Sequence, residues 1–346
     1  MEFGIFDHCE RAPRPAATTY EERFRLAQRA EAAGFYAYHL AEHHGTPLSL
    51  VPSPNLFLAA LAQRTSTLRL GPLVYLLPLY EPYRLVEEIC MLDNLCGGRL
   101  ELGVGRGANP VELGFFGLDP AGAKDRFDEA FKIIMQGLIE GQVTHQGEHY
   151  DIGHGPVDGR TVQRPHPPIW YPSAGGGASL AWAAAQGFNT IVNGTLEACV
   201  DAVKVFWDNF KPGAHGASPR VGITRYVFVA ETEEEAFRVG DQAFSYHLKN
   251  LTKLTDDMGM TLKSPIIPPN DLREAVACGW AAVGSPQSVR EQIAAIVDTV
   301  GVNYFVFAPM IGDLSGDWGL RTIDLFESEI MPSFQSEMAR PAVLKA

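Results

Sequence analysis

Residues Leu68 to Leu77 read LRLGPLVYLL, an almost unbroken apolar run of strand length closed by Pro78 and Pro82. Such a strand has no face to offer to water, so it belongs in a sheet covered on both sides, which is the situation of an inner parallel strand. A parallel sheet in turn requires a crossover between neighbouring strands, and helices are the usual crossover. The sequence on either side of the run must therefore alternate strand and helix.

It does. Glu2 to Phe6 reads as a strand and Thr19 to Ala33 as a helix stopped by Gly34; Phe35 to Leu40 is the second strand, followed by a helix from Pro54 to Arg64. After the Leu68–Leu77 strand come a helix from Tyr83 to Leu95, a strand from Arg99 to Val104, and a helix within Asp125 to Glu140. Pro168 to Tyr171 and Phe188 to Val192 are the next strands, with a glycine turn and a helix between them. Leu196 to Phe210 follows as a helix and Val221 to Ala230 as a β-branched strand. A long helix after Thr232, a helix over 284–301 with a Ser-Pro start and a Gly stop, the strand Tyr304 to Ala308 and a last helix near Leu320 to Ile330 complete the series. Eight alternations in 346 residues predict an α/β chain folded as one closed (β/α)8 TIM barrel spanning 1–346. Two stretches leave the rhythm, one at about 141–167 and a proline-bearing one at about 245–283, and both read as insertions.

In a barrel of this kind function gathers where strands end. FYAYHLAEHH, Phe35 to His44, turns abruptly from apolar to an acid and two imidazoles. Adjacent side chains in extended backbone point to opposite faces, so one imidazole of the pair is expected to face a given pocket. A solvated or core-satisfied histidine is the plain alternative. GRGAN, from Gly105 to Asn109, and the turn at Ser173, Ala174, Gly175, Gly176 and Gly177 ahead of a helix read either as a phosphate cradle or as tight turns beside a surface arginine. GVGRG does not open a helix in an early βαβ unit and is not a dinucleotide fingerprint. There is no GxSxG elbow for a nucleophilic serine, and His43 and His44 lack the helical spacing of a zinc pair, so no metal site is expected.

A net charge of −13 sets the chain against nucleic acid or an anionic membrane as its main partner. The five scattered cysteines, with no CxxC pair, predict free thiols; with no signal-like start and no spanning apolar window, a cytoplasmic location is expected.

The opening MEFGIF, EHH after the second strand, the block LRLGPLVYLLPLYEPYRLVEEICMLDNLCGGRLELGVGRG over 68–107, SAGGGAS and the closing VGSPQSVREQI together resemble the bacterial luciferase-like flavin-dependent monooxygenases, in that family's order and over nearly the whole chain. The resemblance implies a barrel that binds reduced FMN delivered by a separate flavin reductase. It further implies oxygen activation as a flavin C4a-hydroperoxide, oxygenation of a small organic substrate, and a homodimer. By position it implies His43 as the catalytic histidine, and Arg106 with Ser173, Ala174, Gly175, Gly176 and Gly177 as phosphate contacts. Leu73 and Val74 match a segment beside the isoalloxazine that holds a non-proline cis peptide in relatives. Gly105 falls where luciferase has a flavin-side cysteine, Phe6 and Phe116 fall on pocket aromatics, and Leu113 stands where luciferase has an aromatic. The missing thiol argues against light emission. Two alternatives stay open: an F420-dependent oxidoreductase that transfers hydride without oxygen, and a flavin-binding protein without turnover.

Overall fold

A computed structural model describes residues 1–107, 109–173, 177–260 and 267–335. Eight parallel strands form the ring: β1 Glu2–Asp7, β2 Ala37–Leu40, β3 Arg69–Pro72, β4 Leu102–Gly105, β5 Ile169–Trp170, β6 Thr190–Val192, β7 Val221–Val229 and β8 Tyr304–Ala308. Full ladders join β3, β2, β1, β8, β7 and β6 in that spatial order, and another joins β4 to β5. Two seams close the circle more thinly. Tyr75–Leu76, just past β3, pairs with the end of β4 beside a single bridge from Leu70 to Leu100, and β5 meets β6 through Trp170 to Asn189 and Ser173 to Val192.

Glycine permits the first seam. A Cβ on Gly71 would stand 1.8 Å from the Glu101 carbonyl oxygen and one on Gly103 would stand 2.1 Å from that of Pro72, so only glycine lets β3 and β4 approach so closely.

The lower barrel is solid. Trp170 and Tyr304 are fully buried there with Val306 and Ile191, and His39 Nε2 lies 2.9 Å from the Tyr304 hydroxyl. The buried Glu101 carboxylate accepts hydrogen bonds from the Tyr36 hydroxyl, the Trp170 indole N–H and the Arg69 guanidinium. With the lower interior packed, the carboxyl ends of the strands are where a barrel of this kind leaves room for a ligand. Outside the ring the main core lies between strands and helices, where Phe3, Phe35, Phe305, Phe307 and Phe326 pack edge to face and stacked.

The excursion at 141–167 contains an antiparallel hairpin, Gln142–Gln146 with Asp151–Pro156. The second stretch is narrower than 245–283. Residues up to Asp257 continue the 25-residue helix Glu233–Asp257, and Ala281–Gly284 is a strand paired with the upper half of β7. Four small residues running straight into a helix cap carry no strand periodicity of their own; the overhang of the nine-residue β7 gives them a partner. The apolar run over 68–77 is one strand in the sequence but two pieces in the structure, Arg69–Pro72 and Tyr75–Leu76, and the Leu73–Val74 peptide between them is cis.

Candidate active site

A cavity of about 1350 Å³ opens at the carboxyl ends of the strands and runs out between the helices Ala123–Glu140 and Gly177–Ala185. Phe6 and His8 enter it from the end of β1, His43 from the end of β2, Leu73 and Val74 from β3, Gly105 and Arg106 from β4, and Ser173 from β5. Seven of the residues singled out in the sequence, Phe6, His43, Leu73, Val74, Gly105, Arg106 and Ser173, are thus brought to one space from five strands.

His43 is held by the short helix Pro110–Phe115, whose amino end is capped by the Asn109 side chain. Its Nδ1 lies 3.0 Å from Oε1 of Glu112, a nearly buried carboxylate whose Oε2 accepts the His44 backbone N–H at 3.2 Å. A carboxylate opposite Nδ1 selects the tautomer with the proton on Nδ1. Nε2 then has no protein partner among the described residues, and the ring is 28% exposed. The neighbouring His44 turns the other way, its Nε2 2.9 Å from Glu42 Oε1. Glu42 Oε2 accepts the Leu76 amide at 3.1 Å and the Tyr80 hydroxyl at 2.9 Å. The pair Glu42–His44 therefore ties the end of β2 to the segment that follows β3.

Leu73 and Val74 put apolar surface against the cavity, opposite Ile191 and beside Phe6. Gly105 is required next to them, since a Cβ there would stand 2.4 Å from Val74 Cγ2. Arg106 is exposed to the cavity and has no acidic partner among the described residues. Ser173 stands across from it near the start of the helix Gly177–Ala185. Ala174, Gly175 and Gly176 lie outside the described residues. An unpaired guanidinium, a helix amino end and a flat apolar wall suit the phosphate and the ring of a flavin mononucleotide.

Two expected pocket residues are elsewhere. Leu113 is buried under Gly107 and Phe116 is about half exposed, edge-on to His44 with ring centroids 5.0 Å apart. The turn of the short helix that aims Glu112 at the histidines carries Leu113 and Phe116 away from the cavity.

Sequence reasoning missed a second imidazole group. His8 stacks on His43, with centroids 5.7 Å apart and planes 25° apart, and its other side meets His247 at 5.5 Å. His247, fully buried on the helix Glu233–Asp257, has Nδ1 2.7 Å from Glu10 Oε1 and Nε2 2.9 Å from the Tyr226 hydroxyl, and Asn250 donates to Glu10 Oε2 at 2.8 Å. Burial and the neighbouring His247 hold the His8 pKa well below its ordinary value, while Glu10, despite the opposing effect of burial, is lowered to about 2 by His247. His8, Glu10 and His247 have ligand atoms within 4.8 Å of one another, a spacing a metal ion would accept, yet both nitrogens of His247 and both oxygens of Glu10 already have protein partners. The available signal was position: His8-Cys9-Glu10 directly follows β1, where loop residues carry function.

A family model for luciferase-like monooxygenases matches residues 1–303. Uncharacterized protein y4wF of Sinorhizobium fredii is 38% identical over 96% of each chain. Among solved structures, monooxygenase RslO1 from Streptomyces bottropensis superposes with a TM-score of 0.85 at 28% identity, covering 96% of this chain and all of that one. The oxygenating constituent of 3,6-diketocamphane monooxygenase from Pseudomonas putida, solved in complex with FMN, gives 0.80 at 24% identity over 96% and 98% of the two chains.

Proposed function

The chain belongs to the luciferase-like monooxygenase family, and from that membership we propose how its residues divide the work of an FMN- and oxygen-dependent monooxygenation of a small organic substrate. When bound in reduced form, FMN supplies the electrons that activate oxygen, and the protein positions and shields it. Reduced FMN comes from a separate reductase, as in the family.

Arg106, Ser173 and the amino end of Gly177–Ala185 hold the phosphate, with the sequence segment Ala174, Gly175 and Gly176 as its further contacts. Leu73 and Val74 back the isoalloxazine, and Gly105 leaves room for it at the Val74 wall. His43 works through Nε2 as the acid or base at the flavin edge, holding or passing a proton at that nitrogen while Glu112 fixes its tautomer and ring plane. Glu42 and His44 keep the cavity wall in register. The apolar lining keeps bulk water from the reacting atoms.

One observation carries the reading: the Glu112-anchored His43 shares one cavity wall with Leu73, Val74, Gly105 and Arg106. The test supplies FMN, NADH and a flavin reductase and follows oxygen uptake. His43→Ala should still bind FMN, yet lose productive oxygenation and release hydrogen peroxide instead. Turnover with F420 and no oxygen uptake would replace the monooxygenase reading with hydride transfer.

Leu56, Met91 and Leu95 are solvent-exposed apolar residues on the packed helices Pro54–Ala62 and Pro82–Leu95, which supports a homodimer through that face. Among the described residues no helix is long and apolar enough to cross a membrane.

A further inference from the structure

Among the described residues two guanidiniums are almost completely buried, and they are treated in opposite ways. Arg23 donates to the Asp7 carboxylate, with which it forms an ion pair at 2.9 Å, and to the Met310 carbonyl at 3.2 Å. Arg225, on β7 and only 1% exposed, has no carboxylate partner among the described residues. One terminal nitrogen donates to the carbonyl of its own neighbour Thr224 at 2.8 Å, another lies 3.6 Å from Cys199 Sγ, and Nε has no partner at all. The Cys199 thiol itself lies 3.7 Å from the Gly194 carbonyl, which accepts its S–H.

Cys199 lies in the first turn of the helix Leu196–Asn209, whose amino end adds positive potential beside the guanidinium. Burial accordingly pushes the Arg225 pKa below its ordinary value, and the group nevertheless stays charged. A buried charge without a counter-charge weighs against the fold. Arg225 lines the same cavity as His43, as do Asn193, Thr224, Leu251, Trp280 and Ala308, and its guanidinium lies 5.5 Å from the Trp280 ring centroid. Asn193, Thr224, Arg225 and Ala308 belong to the β6, β7 and β8 side, whereas Arg106 serves the cavity from β4.

We propose that Arg225 is the counter-charge for an anionic group, a carboxylate carried by the organic substrate, whose apolar body rests against Leu251, Trp280 and Ala308. The proposal rests on the flavin-monooxygenase reading for the word substrate, but its test reads binding and needs no turnover.

The FMN-loaded enzyme is heated with straight-chain carboxylates from acetate to decanoate and with benzoate, each beside its uncharged amide. Members of the acid series should raise the wild-type melting temperature and the matching amides should not. Arg225→Met should start no lower than wild type, since an uncompensated charge is gone, and should weaken the half-saturating acid concentration about 10- to 100-fold, as expected for a lost charge-assisted bond. Equal stabilisation by acids and amides, no stabilisation by any acid, or an undiminished acid effect in Arg225→Met would overturn the proposal. So would an Arg225→Met protein that binds FMN poorly but riboflavin normally, because the anion served would then be the flavin phosphate. If Arg225→Met does not fold, the wild-type comparison of acid with amide still decides, with Arg225→Lys expected to retain part of the discrimination. Oxygen uptake with FMN and the His43→Ala result stand apart from these outcomes, so failure here leaves the monooxygenase reading measurable by itself.

Discussion

Nδ1 of His43 and Oε1 of Glu112 are 3.0 Å apart, with the carboxylate 4% exposed and the imidazole open to the cavity. The two residues are 69 positions apart in the chain and come from different strand-to-helix connections, so the relationship is a product of the barrel.

Removing the carboxylate should therefore disturb the imidazole without removing it. Glu112→Gln keeps size and one hydrogen bond but no longer selects the Nδ1 tautomer. Productive turnover should fall about 10- to 100-fold, a fraction of the effect of losing the acid–base group itself. Oxygen uptake paired with peroxide quantitation over a pH series checks this. An unchanged pH profile with slower turnover would make Glu112 a packing residue only.

Arg106→Ala should weaken FMN binding about 10- to 100-fold, in line with one lost charge-assisted contact, and leave riboflavin binding nearly unchanged. Flavin fluorescence titration measures both. Equal loss for the two ligands would move the phosphate contact elsewhere.

Gly105→Ala places a methyl group 2.4 Å from Val74 Cγ2 and should lower flavin affinity by displacing the wall. The double variant Gly105→Ala with Val74→Ala relieves that contact. If the clash is the cause, the second change restores part of the affinity, and a purely additive double mutant would exclude it.

Acid stability should fall in two windows. His8 is held below its ordinary value of 6.5, so the fold favours the neutral ring; its contribution is complete above pH 6.5 and is lost as the pH drops below it. The groups that set this environment are His247, His43, Glu10 and Arg23. Glu10 is lowered from 4.5 to about 2, so its contribution is present above pH 4.5 and is lost between there and about pH 2. Chemical denaturation from pH 7 to pH 3 should show His8→Phe flattening the upper window and Glu10→Gln the lower. A wild-type stability independent of pH between 7 and 5 would contradict the first assignment.

Met91→Glu introduces charge on an apolar position that is 65% exposed. It should shift the species in solution from dimer to monomer with a small change in melting temperature, read by light scattering behind size exclusion. A wild-type monomer would remove the dimer from the picture.

Much of the architecture was legible because it rests on local rules. Ser285 accepting from the Ser288 amide, Pro286 in the first turn and Gly301 in the left-handed region are the start and stop read from GSPQSVREQIAAIVDTVG. The strand Ala281–Gly284 was not legible, because its partner is an overhang of β7 and its own four residues carry no pattern. The cavity wall followed from position at strand ends, whereas the placing of half-exposed Phe116 edge-on to His44 did not, since the rotation of the six-residue helix before it is set by what it packs against.

The sequence by itself determined the alternation of strand and helix, the largely buried apolar run over 68–77 and the placing of polar residues at strand ends. Those features depend on side-chain period, caps and turns within a few residues. Tertiary structure alone decided that Glu112 holds His43, that Glu10 pairs with His247 beside the His8 ring, and that Arg225 is buried without a carboxylate partner among the described residues. Each joins or isolates charges from distant segments, and electrostatic partnership depends on distance through space and on burial, neither of which is written in sequence spacing.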